Sequence, residues 1–163
     1  MEVIDDFLPS YYFEEIQSSL LGSHFPWYYN SSILTAEHPQ YNPKSFQFYH
    51  QFYDLNIGII SDFYGLLEPI LPKFISNNIY RIKANLTPRT VFSRMSGYHI
   101  DIPDVTTAIL YINTNNGYTK IKGHGKVKSV ANRLVKFDSN LEHTGVSCTD
   151  EKTRVLINFN YER

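Results

Sequence analysis

The second half of the chain is the part that most constrains the fold. From Val91 onward, short stretches rich in β-branched and aromatic residues alternate with turns of glycine, asparagine and aspartate. Strands are predicted at 98–102, 105–113, 118–122, 126–130, 133–137, 142–147 and 153–161. Short strands at this spacing are typical of a β-sandwich or barrel. Asn115-Asn116-Gly117 and Gly123-His124-Gly125 are predicted hairpin turns, because asparagine and glycine tolerate positive φ.

The first half predicts a mixture of elements. A strand and then a helix are expected within residues 1–22, with Ser10 as the helix cap and a buried stripe of Phe13, Ile16 and Leu20. Further predictions are a loop at 30–45, strands at 46–53 and 79–86, and a helix from Ile57 to about Phe74. Without a linker or repeat, residues 1–163 form one domain, with 1–78 as helical support and pocket wall and 79–163 as the β-rich core.

Composition argues against several classes of function. The chain has 163 residues, of which 15 are basic and 16 acidic, for a formal net charge of −1. No basic stripe favours a nucleic-acid partner. The start of the chain lacks the form of a signal peptide, and no apolar run approaches the ~20 residues of a membrane span. With Cys148 as the single cysteine, no internal disulfide is possible, so we expect a cytoplasmic protein without membrane partners.

A histidine and an aspartate stand two positions apart, at His99 and Asp101. Side chains at i and i+2 of a strand point to the same face, so an imidazole and a carboxylate lie side by side. They are two of the three ligands in the facial site of two histidines and one carboxylate that binds non-haem Fe(II). Two solvated polar groups on a surface strand are the simpler interpretation of such a pair.

Two later residues extend this pattern. His143 begins a predicted strand and supplies a second imidazole, and Arg154 lies near the start of the last strand. That strand has an apolar face of Val155, Ile157, Phe159 and Tyr161 and a mixed face of Arg154, Leu156, Asn158 and Asn160. The mixed face either lies in water, as in many antiparallel sheets, or lines a cavity where Arg154 clamps the distal carboxylate of an α-keto acid.

Three other residues have simpler interpretations. Strand 105–113 is apolar on both faces and therefore central, so Tyr111 is buried and its hydroxyl needs a partner. That partner is either a carboxylate held by Arg154 or a backbone group. Cys148 is expected to be a small buried side chain rather than a metal ligand. His124 lies between glycines in a turn and is expected to be exposed.

The order of these residues resembles the Fe(II)/2-oxoglutarate-dependent oxygenases. Within them the chain is most similar to the prolyl-hydroxylase-like branch, which includes small phage-encoded and bacterial members. The matching segments are His99-x-Asp101, Thr107 to Asn113, Gly117-Tyr118-Thr119, Asn132 to Asp138, His143-Thr144-Gly145 and Arg154 to Asn158. The resemblance covers about residues 80–161.

This resemblance implies a mostly β fold with N-terminal helices, the double-stranded β-helix or jelly roll. It implies His99, Asp101 and His143 as iron ligands. Arg154 would bind the C5 carboxylate of 2-oxoglutarate, and Tyr111 would donate a hydrogen bond to the same group. The implied cofactors are Fe(II) and 2-oxoglutarate, with ascorbate as a candidate reductant and O2 as co-substrate.

The implied activity is hydroxylation of a C–H bond, with succinate and CO2 as co-products. The substrate would be a peptide, a protein or a small molecule, with peptidyl proline as one candidate. A non-catalytic jelly-roll binding module with a vestigial metal site is an alternative. Another is a non-haem iron enzyme that needs no keto acid, in which Arg154 would have no role.

One departure leaves the substrate class open. The branch often has Gly-Glu-Thr where this chain has Gly117-Tyr118-Thr119. Asn160 stands where members that repair alkylated bases carry a second arginine, which again argues against a nucleic-acid partner. Candidate walls of the substrate pocket are Trp27, Tyr28, the loop Phe92–Gly97 and Asn160.

Overall fold

Two antiparallel sheets make up most of the molecule. The computed structural model describes residues 1–74 and 78–163, and the elements given below are those of the described residues. The strands are β1 (Glu2–Ile4), β2 (Tyr28–Asn30), β3 (Gln47–Asp54), β4 (Gly58–Ile59), β5 (Ile79–Pro88), β6 (Thr106–Tyr111), β7 (Tyr118–Ile121), β8 (Gly125–Lys128), β9 (Leu134–Asp138), β10 (His143–Val146) and β11 (Thr153–Tyr161). The large sheet has the order β1-β9-β6-β11-β5-β3-β2, with β4 on β3, and the small sheet has the order β10-β7-β8.

This arrangement confirms the predicted jelly roll of mostly β structure. The predicted strands of the second half are present within a few residues, apart from 98–102. There only His99 pairs, through one isolated bridge to His143. The N-terminal half adds β1, β2, β3 and β4 to the large sheet, in addition to its helices.

Strand β11 separates two packed layers. It lies between β5 and β6, so its backbone is paired on both sides. Val155, Ile157, Phe159 and Tyr161 point into the main hydrophobic core. Leu156 points the other way, into a smaller core shared with Tyr111 and Ile121. The predicted alternation of β11 is therefore confirmed, and its mixed face looks toward the small sheet rather than into water.

The helices cover the outer face of the large sheet. Helix α1 (Ser10–Leu21) buries Phe13, Ile16 and Leu20 in the main core, as its spacing predicts. The prediction that Ser10 caps the helix was wrong, because Pro9 holds the cap position and no side chain bonds there. None of the helices in the described residues is long and apolar enough to cross a membrane.

The predicted helix from Ile57 to about Phe74 was wrong. The segment contains β4 and two 3₁₀ helices, Asp62–Leu67 and Leu71–Phe74. Ser61 caps the first of these by accepting a hydrogen bond from the Phe63 backbone N–H at 3.0 Å. Pro69 and Pro72 lack the N–H that a continuous α-helix needs, which explains the division into short pieces.

The two predicted turns behave differently. Gly123 and Gly125 have φ of 78° and 94° and close the hairpin between β7 and β8, so this prediction is confirmed. Asn115-Asn116-Gly117 does not close a hairpin, because β6 lies in the large sheet and β7 in the small one. This turn instead carries the chain across the molecule, and none of its residues has a positive φ.

We expect Phe159→Ala to destabilise the protein by ~3–5 kcal/mol, because it leaves a cavity in the main core. Phe159 is fully buried, and its ring lies 5.2 Å from that of Phe74. The matched control is Phe92→Ala, since Phe92 is 74% exposed and its loss should change stability by less than ~0.5 kcal/mol. Urea denaturation followed by circular dichroism measures both; equal losses in the two variants would contradict the core assignment.

Candidate metal centre

A single backbone pair brings His99 and His143 together. The His99 N–H donates to the His143 carbonyl, and the His143 N–H donates to the His99 carbonyl, both at 3.0 Å. Two residues paired in this way across antiparallel chains carry their side chains on the same face. The two imidazole centroids are accordingly 4.7 Å apart. Residues 44 positions apart (143 − 99 = 44) thus become neighbours through the fold of the sheet.

Both imidazoles direct their Nε2 atoms toward Asp101. The Nδ1 of His99 lies 3.1 Å from the Gly97 carbonyl, and the Nδ1 of His143 lies 3.4 Å from the Leu141 carbonyl. A carbonyl accepts only from a protonated nitrogen, so these contacts favour the tautomer whose Nε2 carries a free lone pair. Burial, together with the neighbouring His143, lowers the pKa of His99 below its ordinary value, which favours the neutral, ligating form.

Asp101 completes the group. Its Oδ1 lies 3.7 Å from His99 Nε2 and its Oδ2 lies 3.6 Å from His143 Nε2. Burial acts to raise the pKa of Asp101, but the neighbouring His143 imidazole and the charge of Arg81 outweigh it, so that the pKa falls well below its usual range. Arg81 Nη2 lies 3.1 Å from Oδ1, and Asn158 Nδ2 donates to Oδ2 at 2.6 Å. The carboxylate is therefore ionised and held from two sides.

These three residues can hold one metal ion. One ligand atom from each of His99, Asp101 and His143 lies within 4.8 Å of the others. Two imidazole nitrogens and one carboxylate oxygen suit Fe(II) and leave coordination positions for other molecules. The contacts of Arg81 and Asn158 with the carboxylate are the kind of outer support that orients ligands in metal sites.

Arg154 lines the same cavity as His99, Asp101 and His143. It is only 3% exposed, and its guanidinium donates from Nε to Ser129 Oγ at 2.8 Å and from Nη2 to Thr119 Oγ1 at 2.9 Å. The Nη1 group bonds to no described residue, and no carboxylate among the described residues pairs with Arg154. Burial lowers the pKa of Arg154 from its ordinary value, although a guanidinium stays protonated in proteins.

Tyr111 is placed behind Arg154 rather than beside the cluster of His99, Asp101 and His143. Its buried hydroxyl donates to Thr119 Oγ1 at 2.8 Å, and its ring lies under the Arg154 guanidinium, 5.5 Å from the centroid. Tyr111 does not line the cavity, whereas Thr119 does. A direct bond from Tyr111 to a bound acid therefore stays a prediction, and in this structure the tyrosine positions Thr119 and Arg154.

Gly117 leaves the space that Arg154 occupies. A Cβ atom at this position would lie 2.8 Å from Arg154 Cδ and 2.8 Å from the Val146 carbonyl oxygen. Contacts this short do not occur between real Cβ atoms and backbone, so any side chain here would displace the arginine or the strand. The glycine is thus required for close packing and not for an unusual φ.

The cavity has a volume of about 500 Å³ and is mostly polar on the side of β5. Arg81, Lys83, Asn85 and Thr87 all face it, alternating with Ile82 and Ala84 in the core. Sequence reasoning predicted this strand but assigned its polar side chains no role. The alternation itself was the signal, because it places both cations on one face.

Several predicted wall residues lie elsewhere. Trp27 packs against the main core, and Tyr28 is exposed on β2. Asn160 is fully buried and bonds to Arg81 and Thr107 behind the cavity. Of the loop Phe92–Gly97, Ser96 contributes to the lining, and His38, which had no assigned role, does so too. Cys148 is buried and His124 is exposed, both as predicted.

Comparison by sequence identifies no relative. No family model matches the chain, and no curated protein does either. Solved structures are similar in fold. The structure of a prolyl hydroxylase from Trichoplax adhaerens, in complex with a peptide of the hypoxia-inducible-factor oxygen degradation domain, is 17% identical, with 99% of this chain and 82% of that chain covered and a TM-score of 0.62.

Two further solved structures are also similar to this chain in fold. An oxidoreductase of the 2OG-Fe(II) oxygenase family from Burkholderia pseudomallei is 12% identical, with 95% of this chain and 83% of that chain covered and a TM-score of 0.64. HygX from Streptomyces hygroscopicus, solved with nickel and 2-oxoglutarate bound, is 11% identical, with 98% and 81% covered and a TM-score of 0.59.

The chain has the fold of the Fe(II)/2-oxoglutarate-dependent oxygenases. The similarity extends over almost the whole chain, and it includes a prolyl hydroxylase, so the resemblance seen in the sequence is confirmed at the level of the fold. Within this oxygenase fold, the cluster of His99, Asp101 and His143 offers the ligand set that a non-haem iron site needs.

We expect Co(II), used as a spectroscopic probe, to bind this cluster and to raise the melting temperature of the protein. A ligand that binds only the folded state stabilises it by about 2.7 kcal/mol at a hundredfold excess over its dissociation constant. His143→Ala should lose the visible Co(II) bands and the thermal shift. His124→Ala removes an exposed histidine and should keep both; bands and a thermal shift that persist in His143→Ala would place the metal elsewhere.

Proposed function

We propose that this protein is an Fe(II)/2-oxoglutarate-dependent dioxygenase that hydroxylates a C–H bond and forms succinate and CO2. In this proposal His99, Asp101 and His143 hold the iron, and Arg154 binds the C5 carboxylate of 2-oxoglutarate. Arg81 and Asn158 hold the Asp101 carboxylate in place. Thr119, Ser129 and Tyr111 position Arg154.

The observation that carries the proposal is a buried guanidinium without an acid partner. Arg154 is 3% exposed and bonds only to neutral hydroxyl groups, through Thr119 and Ser129. A buried charge without a counter-ion is costly, so it is retained where a ligand supplies the opposite charge. Its cavity also contains the three metal ligands, and a dicarboxylate that chelates iron at one end fits both features.

Strand β11 links the two halves of this site. Asn158 contacts Asp101, and Arg154 lies two inward-facing positions away on the same strand. The strand is paired on both sides, so the distance between acid-binding group and metal ligands is set by rigid backbone. Iron held by His99, Asp101 and His143 would supply the activation of O2, and Arg154 would orient the keto acid.

Two alternatives remain distinguishable from the proposal. A binding module with a vestigial metal site would not need an ionised Asp101 whose carboxylate is held by both Arg81 and Asn158. A non-haem iron enzyme that uses no keto acid would give Arg154 no ligand. As to the substrate, the prolyl hydroxylase from Trichoplax adhaerens was solved with a peptide, which supports a peptidyl substrate, with proline as one candidate.

The proposal is tested by anaerobic titration of the protein with Fe(II) and 2-oxoglutarate. The wild type should develop the weak visible charge-transfer band of the iron–keto acid chelate. His143→Ala, which removes one ligand, should not develop it, while His124→Ala should behave as the wild type. If the folded wild type forms no band, the proposed function is wrong.

We expect Arg154→Met to weaken 2-oxoglutarate binding while iron binding is kept. Loss of a hydrogen-bonded charge pair weakens the binding free energy, and we expect the dissociation constant of 2-oxoglutarate to rise about 10- to 100-fold. The exposed Arg163, which pairs with Asp138 at the surface, gives the control variant Arg163→Met. The charge-transfer band gives the 2-oxoglutarate affinity and Co(II) absorption gives the metal affinity; an equal loss of both affinities would mean that Arg154 only supports the fold.

A further inference from the structure

Lys83 is a second cation of the cavity without an acid partner. It lies on the inward face of β5, opposite Asn158 of β11 and Gln51 of β3. It lines the cavity, and its amine forms no hydrogen bond or ion pair with a described residue. The charges of Arg81 and Asp101 act on its amine, and Asp101 is already paired with Arg81.

The balance of charge in the cavity stays positive when its expected occupants are counted. Arg81, Lys83 and Arg154 line the cavity, and Asp101 is the one acidic side chain in the lining. The two charges of Fe(II) and the two of 2-oxoglutarate cancel. The charge of Asp101 balances that of Arg81. The carboxylate of 2-oxoglutarate that would pair with Arg154 is one of the two negative charges that Fe(II) already balances. Two positive charges therefore remain for a third molecule to balance, and Lys83 is the cation not assigned to either occupant.

We propose that Lys83 binds a carboxylate of the substrate, so that the enzyme acts on an amino-acid unit with a free acid group. This inference rests on the proposed function, since it assigns the substrate class of the same cavity. A lysine ammonium is a compact charge with three donors, which suits an oxygen anion that arrives and leaves with each turnover.

Asn85 supports an amino-acid unit rather than a simple acid. It is the next inward-facing residue of β5 after Lys83 and also lines the cavity. Its side-chain amide makes no hydrogen bond with a described residue. An amide that can both donate and accept, beside a free ammonium, matches the N–H and carboxylate of an amino acid.

The volume limits what can bind beside the keto acid. The cavity of about 500 Å³ lies in the lower part of the usual range for small-molecule sites. It must hold 2-oxoglutarate and the reacting part of the substrate together. The carboxylate therefore comes either from a free amino acid or from an acidic side chain that enters from a peptide.

The test compares acids with their amides by isothermal titration calorimetry. The protein is loaded with Mn(II) and 2-oxoglutarate without O2, and the titrations are repeated on metal-free protein. The probes are the proteinogenic L-amino acids, including proline, and their primary amides. A second arm uses N-acetyl-aspartic acid α-amide and N-acetyl-glutamic acid α-amide against N-acetyl-asparagine amide and N-acetyl-glutamine amide. The proteins are the wild type, Lys83→Met and, as a control on the exposed β8, Lys128→Met.

In the wild type and in Lys128→Met, at least one acid should bind about 10-fold or more tightly than its amide, as expected for a hydrogen bond to a charged group. The arm in which the preference appears identifies the source of the carboxylate. In Lys83→Met the preference should fall below about threefold, while the affinities for the amide and for 2-oxoglutarate are unchanged.

Three results would overturn the inference. The first is a wild type without preference for any acid, and the second is a preference that survives in Lys83→Met. The third is weaker binding of 2-oxoglutarate by Lys83→Met, which would assign the lysine to the keto acid. Failure of the proposed function looks different. In that case 2-oxoglutarate does not bind the metal-loaded wild type, and the metal-free titrations still decide whether Lys83 selects carboxylates.

Discussion

The site depends on the paired backbones of His99 and His143. The two hydrogen bonds between these residues are the reason that two distant imidazoles share one face. No regular strand supports His99, since its pairing is limited to this bridge. The preceding residue is held separately, because the Tyr98 N–H donates to Gln40 Oε1 of the β2–β3 segment at 2.6 Å. Any change that breaks these two hydrogen bonds would separate the two imidazoles.

Strand β11 contributes the polar side chains of Arg154 and Asn158 to the cavity. One of its faces is apolar and joins the main core, and the other carries Arg154 and Asn158 toward the small sheet. Because both neighbours of β11 are strands, these polar groups have no route to bulk water except through the cavity. The polar face of β5 continues the same surface with Arg81 and Lys83. The division of hydrophobic and charged residues between two faces of one sheet thus creates both the core and the site.

Much of this could be predicted from the sequence, and the remainder shows where sequence reasoning stops. Alternation identified the strands and the buried face of β11, and the spacing of His99 and Asp101 indicated a shared face. Alternation does not say what covers a face, so Arg81 and Lys83 were not recognised as cavity residues. The residues of the turn at Asn115-Asn116-Gly117 likewise could not show that it connects two sheets, since the sheet that each flanking strand joins depends on pairing with distant strands. Thr119 was part of the recognised motif, but only the fold shows that it links Tyr111 to Arg154.

The packing of Gly117 against Arg154 has an evolutionary consequence. The hydrogen that glycine carries in place of a side chain is what permits the guanidinium to lie against the turn. Homologous proteins that keep this arginine should therefore also keep glycine at this position, even where the surrounding loop varies in sequence. A lineage with a larger residue there would have had to move this arginine to another strand, and the charge of the cavity would then be arranged differently.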